Sequence, residues 1–84
     1  MMKIRYFAWL RDDTGCGQEE MPCPRDVNTI NDLVNFLSQQ DEKYKRALAR
    51  KDVIRVALNH EFASFDDAIS DQDEIAFFPP VTGG

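Results

Sequence analysis

The sequence predicts a small α+β domain in which one main helix packs across one face of a mixed sheet of about four to five strands. Two observations support this class: one strongly amphipathic helical segment in the middle of the chain, and aromatic, β-branched segments at both ends. The chain has 84 residues, 43% of them hydrophobic and 30% charged. A chain of this length forms one domain around a single core.

The N-terminal segment KIRYFAWL, residues 3–10, is rich in aromatic and β-branched residues and predicts a strand. Apolar groups fall on both of its faces, which predicts a central strand or a covered outer face. The two glycines in residues 12–18 indicate a turn. Residues 18–21, QEEM, are expected to form a short second strand that ends at the prolines of residues 22–24.

Residues 29–40 form the clearest helical pattern, because apolar residues recur with the spacing of one helical face. These residues are Ile30, Leu33, Val34 and Leu37. Thr29 is the predicted N-cap, and Asp32 takes the place of the usual glutamate in a capping box. A second, shorter helix is predicted over residues 43–50.

The C-terminal half predicts three strand-like segments. Residues 53–59 form a strand, residues 59–61 a turn, and Phe62 begins a short return strand. Residues 65–74 form an acidic loop, and residues 74–78, EIAFF, form the last strand. The aromatic first and last strands would suit parallel neighbours at the sheet centre, a pairing that sequence alone does not establish.

The net charge of −5 argues against nucleic acid as a partner, because phosphate binding needs clustered lysine and arginine. It suits a basic protein partner, or it serves solubility alone. No apolar stretch approaches the about 20 residues needed to span a membrane. Arg5 interrupts the N-terminal apolar run, so no signal peptide is predicted and a cytoplasmic location is expected, with Cys16 and Cys23 reduced.

Residues 79–84, PPVTGG, comprise two prolines, then two β-branched residues, then two glycines. A terminus that is merely frayed has no need of this arrangement. Pro79 and Pro80 fix their backbone and favour an extended neck. Gly83 and Gly84 have no side chains, so a second protein can approach them closely from every direction. We interpret the carboxylate of Gly84 as the reactive group of the protein.

A free carboxylate must be activated before it can act as an acyl donor. The sequence contains neither G-x-x-x-x-G-K-[ST] nor G-x-G-x-x-G, so we expect this chain to bind no nucleotide or other cofactor. A partner would use ATP to form a mixed anhydride with AMP. The activated carbonyl would then accept sulfur, giving a thiocarboxylate, or couple to an amine.

Other candidate chemistry is weaker. His60 is predicted to be a turn residue rather than a general base, although a cysteine–histidine nucleophilic pair stays conceivable. His60, Cys16 and Cys23 have no zinc-site spacing, and the acidic cluster of residues 66–74 lacks the pattern of an EF-hand, so no metal site is expected. The aromatic residues outside the helices form either an exposed contact patch or additional core. These residues are Phe7, Trp9, Phe62, Phe65, Phe77 and Phe78.

Three segments resemble the small, sulfur-carrying subunits of molybdopterin synthase, a ubiquitin-like family. They are the C-terminal FFPPVTGG preceded by SDQDEIA, the N-terminal YFAWLRDDTG, and VALNHEFASFD. The resemblance implies a β-grasp fold, with residues 1–78 as the domain and residues 79–84 as an extended reactive tail. It implies a subunit that is not catalytic alone and that works in a heterotetramer with the large synthase subunit.

The resemblance also implies the chemistry. An E1-like enzyme adenylates Gly84, and a sulfurtransferase or cysteine desulfurase system supplies sulfur for the C-terminal thiocarboxylate. The tail enters the large subunit and donates sulfur to cyclic pyranopterin monophosphate, in molybdenum cofactor biosynthesis. Gly83 is then a flexible spacer, and Phe7 and Arg11 match positions at partner surfaces. The inserted neck comprises Phe78, Pro79, Pro80, Val81 and Thr82.

Two departures from the family pattern stand out. Gln72 replaces the glycine that the family often has before the last strand, and the two cysteines are not expected. Three alternatives stay open: a sulfur carrier for a thiamine-type pathway, a ubiquitin-like modifier joined to lysines through Gly84, and a plain interaction module. The absence of FFPPV before Gly-Gly in the thiamine-type carriers counts against the first alternative.

Overall fold

The computed structural model describes residues 1–80 and confirms the α+β class and the β-grasp arrangement. The elements are β1 (Met2–Tyr6), α1 (Trp9–Thr14), β2 (Gln18–Met21), α2 (Ile30–Gln40), α3 (Glu42–Ala47), β3 (Arg55–Leu58), β4 (Glu61–Ala63) and β5 (Glu74–Phe78). The strands form one five-stranded sheet in the order β2-β1-β5-β3-β4. Only the β1–β5 pair is parallel.

The first and last strands lie side by side at the centre of the sheet, as their aromatic character suggested. Ile4 pairs with Ile75 and Tyr6 pairs with Phe77. All four side chains are almost fully buried on the inner face, and the rings of Tyr6 and Phe77 stack with centroids 6.1 Å apart. A parallel pair buried in this way needs apolar cover, which the helices supply.

Helix α2 begins at the predicted cap. The Thr29 side chain accepts a hydrogen bond from the Asp32 backbone N–H at 3.1 Å, and the Asp32 carboxylate accepts one from the Thr29 N–H at 3.2 Å. This reciprocal pair satisfies two N–H groups that a helix start leaves without partners. The four apolar residues of the predicted face, Ile30, Leu33, Val34 and Leu37, are all buried.

The N-terminal prediction is wrong after Tyr6. The predicted strand of residues 3–10 ends at Tyr6, and α1 extends into the first three residues of the predicted turn of residues 12–18. The chain then turns at residues 15–17, between α1 and β2. Aromatic residues favour a strand locally, but burial of Leu10 beneath the helical layer favours the helix. Gly15 ends α1 in the left-handed region, with φ 79°, and its N–H donates to the Arg11 carbonyl at 3.0 Å.

The remaining elements follow the prediction closely. Helix α3 ends at Ala47, three residues before the predicted end, and β3 and β4 form the expected hairpin. Its loop has two residues, Asn59 and His60, with φ values of 52° and 71°. Positive φ at both positions is the geometry of a tight hairpin turn, which asparagine tolerates well.

The acidic loop before β5 uses its carboxylates to hold backbone N–H groups. Asp67 accepts from the Ser64 N–H at 2.9 Å, and Asp73 accepts from the Ser70 N–H at 2.8 Å. Hydrogen bonds from the Asn59 side chain and from Ser70 lower the pKa of Asp73. Gln72 has no positive φ, so this turn does not need the glycine that the family often places there.

A polar network sits at the inner face of the sheet. The Glu19 carboxylate, on β2, accepts a hydrogen bond from the Tyr6 hydroxyl at 2.9 Å and from the Tyr44 hydroxyl at 2.8 Å. The network therefore links β2 to β1 and to α3. Two buried hydroxyls depend on one carboxylate, so removing it leaves both without a partner.

We predict that Glu19→Ala lowers the free energy of unfolding by about 1–3 kcal/mol, because buried donors lose their acceptor. Glu20→Ala is the matched control, since Glu20 is the exposed neighbour on the same strand and has a negligible expected effect. Urea denaturation of both variants measures the difference. Equal stability of the two variants would show that the network contributes nothing.

The same network predicts a pH dependence. Burial, followed by the nearby Glu19 carboxylate, raises the pKa of Tyr6 and Tyr44 above that of a free tyrosine. In the unfolded chain both hydroxyls titrate near pH 10, at about their ordinary value. Their contribution to stability is thus fully present below about pH 10 and is lost as the pH rises further, because the unfolded chain releases protons that the folded chain retains.

These are the only two tyrosines in the sequence, so phenolate absorbance reports this network alone. We expect the native protein to show little phenolate at a pH where the urea-unfolded protein is largely ionised. Coincident titration curves for the native and unfolded protein would contradict this expectation. In Tyr44→Phe the remaining phenolate absorbance comes from Tyr6 alone, so the difference from the unmodified protein gives the contribution of Tyr44.

Candidate functional site

The face of the sheet opposite the helices carries an exposed apolar groove that runs to the end of β5. We call it the outer-face groove. Its volume is about 540 Å³, and its apolar lining comprises Phe7, Ala57, Phe62, Ala76, Phe78, Pro79 and Pro80. Strand alternation explains part of the groove, since Ala76 and Phe78 alternate with buried residues of β5 and Ala57 follows a buried residue of β3. Phe62 comes from β4, and Phe7 and Pro79 directly follow the ends of β1 and β5.

Strand register places small and large side chains so that a concave surface results. Ala57 pairs with both Phe62 and Ala76, so two alanines form a low floor beside the ring of Phe62. The rings of Phe62 and Phe78 lie 5.9 Å apart at one end of this floor. Phe62 is 80% exposed and Phe7 40% exposed. Contiguous exposed aromatic surface of this kind marks an interaction site.

The sequence left open whether the aromatic residues form an exposed patch or additional core. The structure shows that some lie in the core and others on the outer face of the sheet. Phe77 is fully buried in the core, and Phe65 and Trp9 pack partly against it. Phe7, Phe62 and the half-buried Phe78 lie in the outer-face groove instead.

Charged residues border the groove at one end. The Glu74 carboxylate lies 3.7 Å from the Arg5 guanidinium and 3.5 Å from Nε2 of His60. The Arg5 guanidinium also lies 5.1 Å from the centre of the Phe7 ring. His60 is in the β3–β4 turn, as predicted, and these long contacts on exposed side chains contribute little to stability.

Phe7 lies directly beside the point where the tail leaves the sheet. Its N–H donates to the Phe77 carbonyl at 3.1 Å. The next residue, Ala8, has φ 54° and ψ −132°, a conformation that glycine adopts readily and that costs other residues about 1–3 kcal/mol. This sharp bend ends β1 and starts α1, leaving Phe7 on the outer face and Arg11 exposed on the helix.

The structure describes only the first three residues of the predicted neck, and their insertion into a partner stays a prediction. Strand β5 ends at Phe78, and Pro79 and Pro80, which have no N–H, follow it at the end of the groove. Val81, Thr82, Gly83 and Gly84 lie outside the described residues. The reactive role of Gly84 and the partner roles of Phe7 and Arg11 thus stay predictions.

Sequence reasoning did not identify the floor of the groove. The sequence predicts Ala57 and Ala76 as strand residues only, although each lies between two residues that face the core. The signal was present in the alternation of VALN and EIAFF. What the alternation does not reveal is that none of the helices in residues 1–80 covers this face.

The two cysteines lie away from the groove and are unpaired. Cys16 precedes β2 and Cys23 follows it, at the edge of the sheet farthest from the turn that holds His60. Burial, followed by Asp71 and Asp73, raises the pKa of the Cys23 thiol. The structure thus does not bring a cysteine and His60 together.

Residues 1–80 contain no group of three or more histidine, cysteine, aspartate or glutamate residues arranged to hold a metal ion. None of the helices in this range has the length and apolar character needed to cross a membrane.

Comparison with known proteins identifies the family. The model of the ThiS family matches residues 4–84. The chain is 36% identical, over 84 residues and the full length of both proteins, to the molybdopterin synthase sulfur carrier subunit of Escherichia coli. The corresponding protein of Haemophilus influenzae is 34% identical, again over both full lengths.

Solved structures agree with the fold. SAMP1 from Haloferax volcanii, a small archaeal modifier protein, is 29% identical with a TM-score of 0.73, covering 99% of this chain and 98% of that one. A complex of subunits 1 and 2 of molybdopterin-converting factor from Helicobacter pylori contains a chain that is 25% identical with a TM-score of 0.64, covering 99% and 97%. The chain therefore belongs to the ThiS family, in which it is similar over its full length to molybdopterin synthase sulfur carrier subunits.

Proposed function

We propose that this protein is the sulfur carrier subunit of molybdopterin synthase and that its Gly84 carboxylate carries the sulfur. The observation that carries the proposal is the outer-face groove, which ends where β5 passes into Pro79 and Pro80. A protein that docks on this groove lies next to the start of the tail. Full-length similarity to sulfur carrier subunits of two bacteria supports the same assignment.

In this proposal the chain supplies the acyl group and its partners supply the catalysis. An E1-like enzyme joins the Gly84 carboxylate to AMP and releases pyrophosphate. A sulfurtransferase or cysteine desulfurase system presents the donor sulfur as a persulfide, whose terminal sulfur displaces AMP and forms an acyl disulfide. A thiol reductant then cleaves the sulfur–sulfur bond, which releases the C-terminal thiocarboxylate and leaves the donor cysteine in a disulfide with the reductant. The large subunit then transfers that sulfur to cyclic pyranopterin monophosphate, and the carboxylate is regenerated. The protein binds no cofactor of its own, and we place the cycle in the cytoplasm.

The proposed docking partner is the large subunit of molybdopterin synthase, in a heterotetramer. The Helicobacter pylori complex contains a structural relative together with a second subunit, which supports the choice of partner. The tail residues from Phe78 to Gly84 would enter the partner. Six residues from Pro79 to Gly84 reach at most about 20 Å, so the partner must hold its catalytic groups within that distance of the sheet.

A second candidate function is a protein modifier that forms a bond from Gly84 to lysine. The similarity to SAMP1 favours this candidate, since that relative is a modifier protein. A thiamine-type sulfur carrier is a third possibility that the family match alone leaves open. All three require the same activated carboxylate and differ in what attacks it.

The first test is the intact mass of the protein after co-expression with an activating enzyme and a sulfur donor. We expect the mass increase that corresponds to replacement of one oxygen by sulfur, and no increase when Gly84 is deleted. The deletion should abolish molybdopterin synthesis with a reconstituted large subunit. It should leave the melting temperature nearly unchanged, because glycine has no side chain to bury in the core.

Other outcomes would count against this assignment. Covalent adducts to other proteins would favour the modifier. Full synthase activity from a chain with one residue permanently appended after Gly84 would rule out the carboxylate as the sulfur carrier.

A second prediction concerns docking. Phe62→Ser should weaken binding to the large subunit about tenfold or more, since burying an exposed phenylalanine contributes about 1.5–3 kcal/mol. The unfolding free energy should hardly change, because Phe62 is 80% exposed. Glu61→Ser is the control, since the neighbouring side chain points to the opposite face of β4. Isothermal titration calorimetry measures both, and unchanged affinity of Phe62→Ser would contradict docking on the groove.

A further inference from the structure

A second pocket lies on the other side of Phe7, between β1, α1 and the start of β2. Its volume is about 440 Å³, and it is lined by Arg5, Tyr6, Phe7, Arg11, Gly17 and Gln18. Two guanidinium groups therefore lie around one opening in a chain whose net charge is −5. We call it the arginine pocket.

The local structure supports the position of Arg11. Its side chain extends across Gly17, where an added Cβ atom would lie 3.2 Å from Nε and 3.3 Å from Cζ of the guanidinium. Glycine at this position leaves the guanidinium in place, whereas an added Cβ would push it aside slightly. The backbone at Gly17 is itself fixed, because the Tyr6 N–H donates to its carbonyl at 2.9 Å.

Neither arginine has a strong counter-charge in the described part of the chain. No carboxylate of residues 1–80 lies within 4.0 Å of the Arg11 guanidinium, and Arg5 reaches Glu74 only at 3.7 Å. A guanidinium offers five N–H donors arranged to bind a carboxylate with two parallel hydrogen bonds. The arginine pocket thus retains most of its capacity to bind an anion.

The arginine pocket and the outer-face groove share Phe7 and Arg5, so they form one continuous surface. A protein that covers Phe7 also removes water from both guanidinium groups. Burying these charges without a counter-ion is costly, so a stable complex must supply negative charge at this point. A partner that makes the hydrophobic contact must therefore also carry an acidic group next to that contact.

We propose that the arginine pocket receives an aspartate or glutamate side chain of the protein that takes up the tail. The inference rests on the proposed function and adds the chemistry of the contact. The apolar groove supplies hydrophobic contact, and the arginine pocket fixes the orientation of the partner relative to the tail.

The test compares the affinity of single and double variants for the large subunit by isothermal titration calorimetry. We expect Arg11→Gln and Arg5→Gln each to raise Kd about tenfold, and the double variant to lose most of the salt dependence of binding. Arg46→Gln is the matched control, because Arg46 is an exposed arginine on α3, on the helical side of the sheet. Melting temperatures equal to that of the unmodified protein confirm that each variant is folded.

A second variant keeps every charge. Gly17→Ala brings a Cβ to 3.2 Å from Nε of Arg11, so the guanidinium must shift slightly, and we expect a Kd increase of a few-fold. A charge exchange identifies the contact: Arg11→Glu should abolish measurable binding, and replacing the facing acidic residue of the large subunit by arginine should restore it.

The outcomes separate this inference from the proposed function. If the large subunit binds the unmodified protein and all arginine variants equally, the inference is wrong and the proposed function stands. If the Nε–H resonances of Arg5 and Arg11 shift on titration with inorganic phosphate while Kd for the large subunit is unchanged in the variants, the arginine pocket is a small-anion site, which also overturns it. If the unmodified protein neither binds the large subunit nor carries sulfur, both fail.

Discussion

The parallel pairing of β1 with β5 is the constraint on which the rest of the structure depends. It joins the two ends of the described chain, with Ile4 beside Ile75 and Tyr6 beside Phe77. On the inner face this pairing builds the aromatic centre of the core. On the outer face it brings Phe7 next to the end of β5. Because β3 pairs with the other edge of β5, the tail begins from a strand held on both sides.

A protein of this size needs most of its apolar surface for its core. Apolar residues that stay exposed on the outer face of the sheet therefore indicate another use for that face. All helices lie on one side of the sheet, so the outer positions of β1, β3, β4 and β5 have no cover within residues 1–80. Two alanines reduce the exposed apolar area there, but Phe7 and Phe62 do not. Exposed aromatic rings oppose solubility, and the net charge of −5 acts in the other direction. The combination fits a surface that is covered only part of the time.

Local signals explain which parts of the fold could be predicted from the sequence. Helix α2, its Thr29 cap and the hairpin turn at Asn59 each follow from residues a few positions apart. Helix α1 could not be predicted in this way, because Phe7 and Trp9 favour a strand. The sharp bend at Ala8 has positive φ but no glycine that would indicate it in the sequence. The groove and the arginine pocket also escaped prediction, since both depend on which strands are neighbours and on which face the helices cover.

The chemistry proposed for Gly84 makes the body of the protein responsible for recognition. Two glycines offer a partner no side chain, so the end of the tail cannot by itself provide specific binding energy. That energy must come from elsewhere and must also position the carboxylate, because orientation contributes strongly to acyl transfer. The outer-face groove and the arginine pocket are both next to the strand end from which the tail departs. Contact there fixes one end of a short proline-stiffened segment, and the short length of that segment limits where its other end can react.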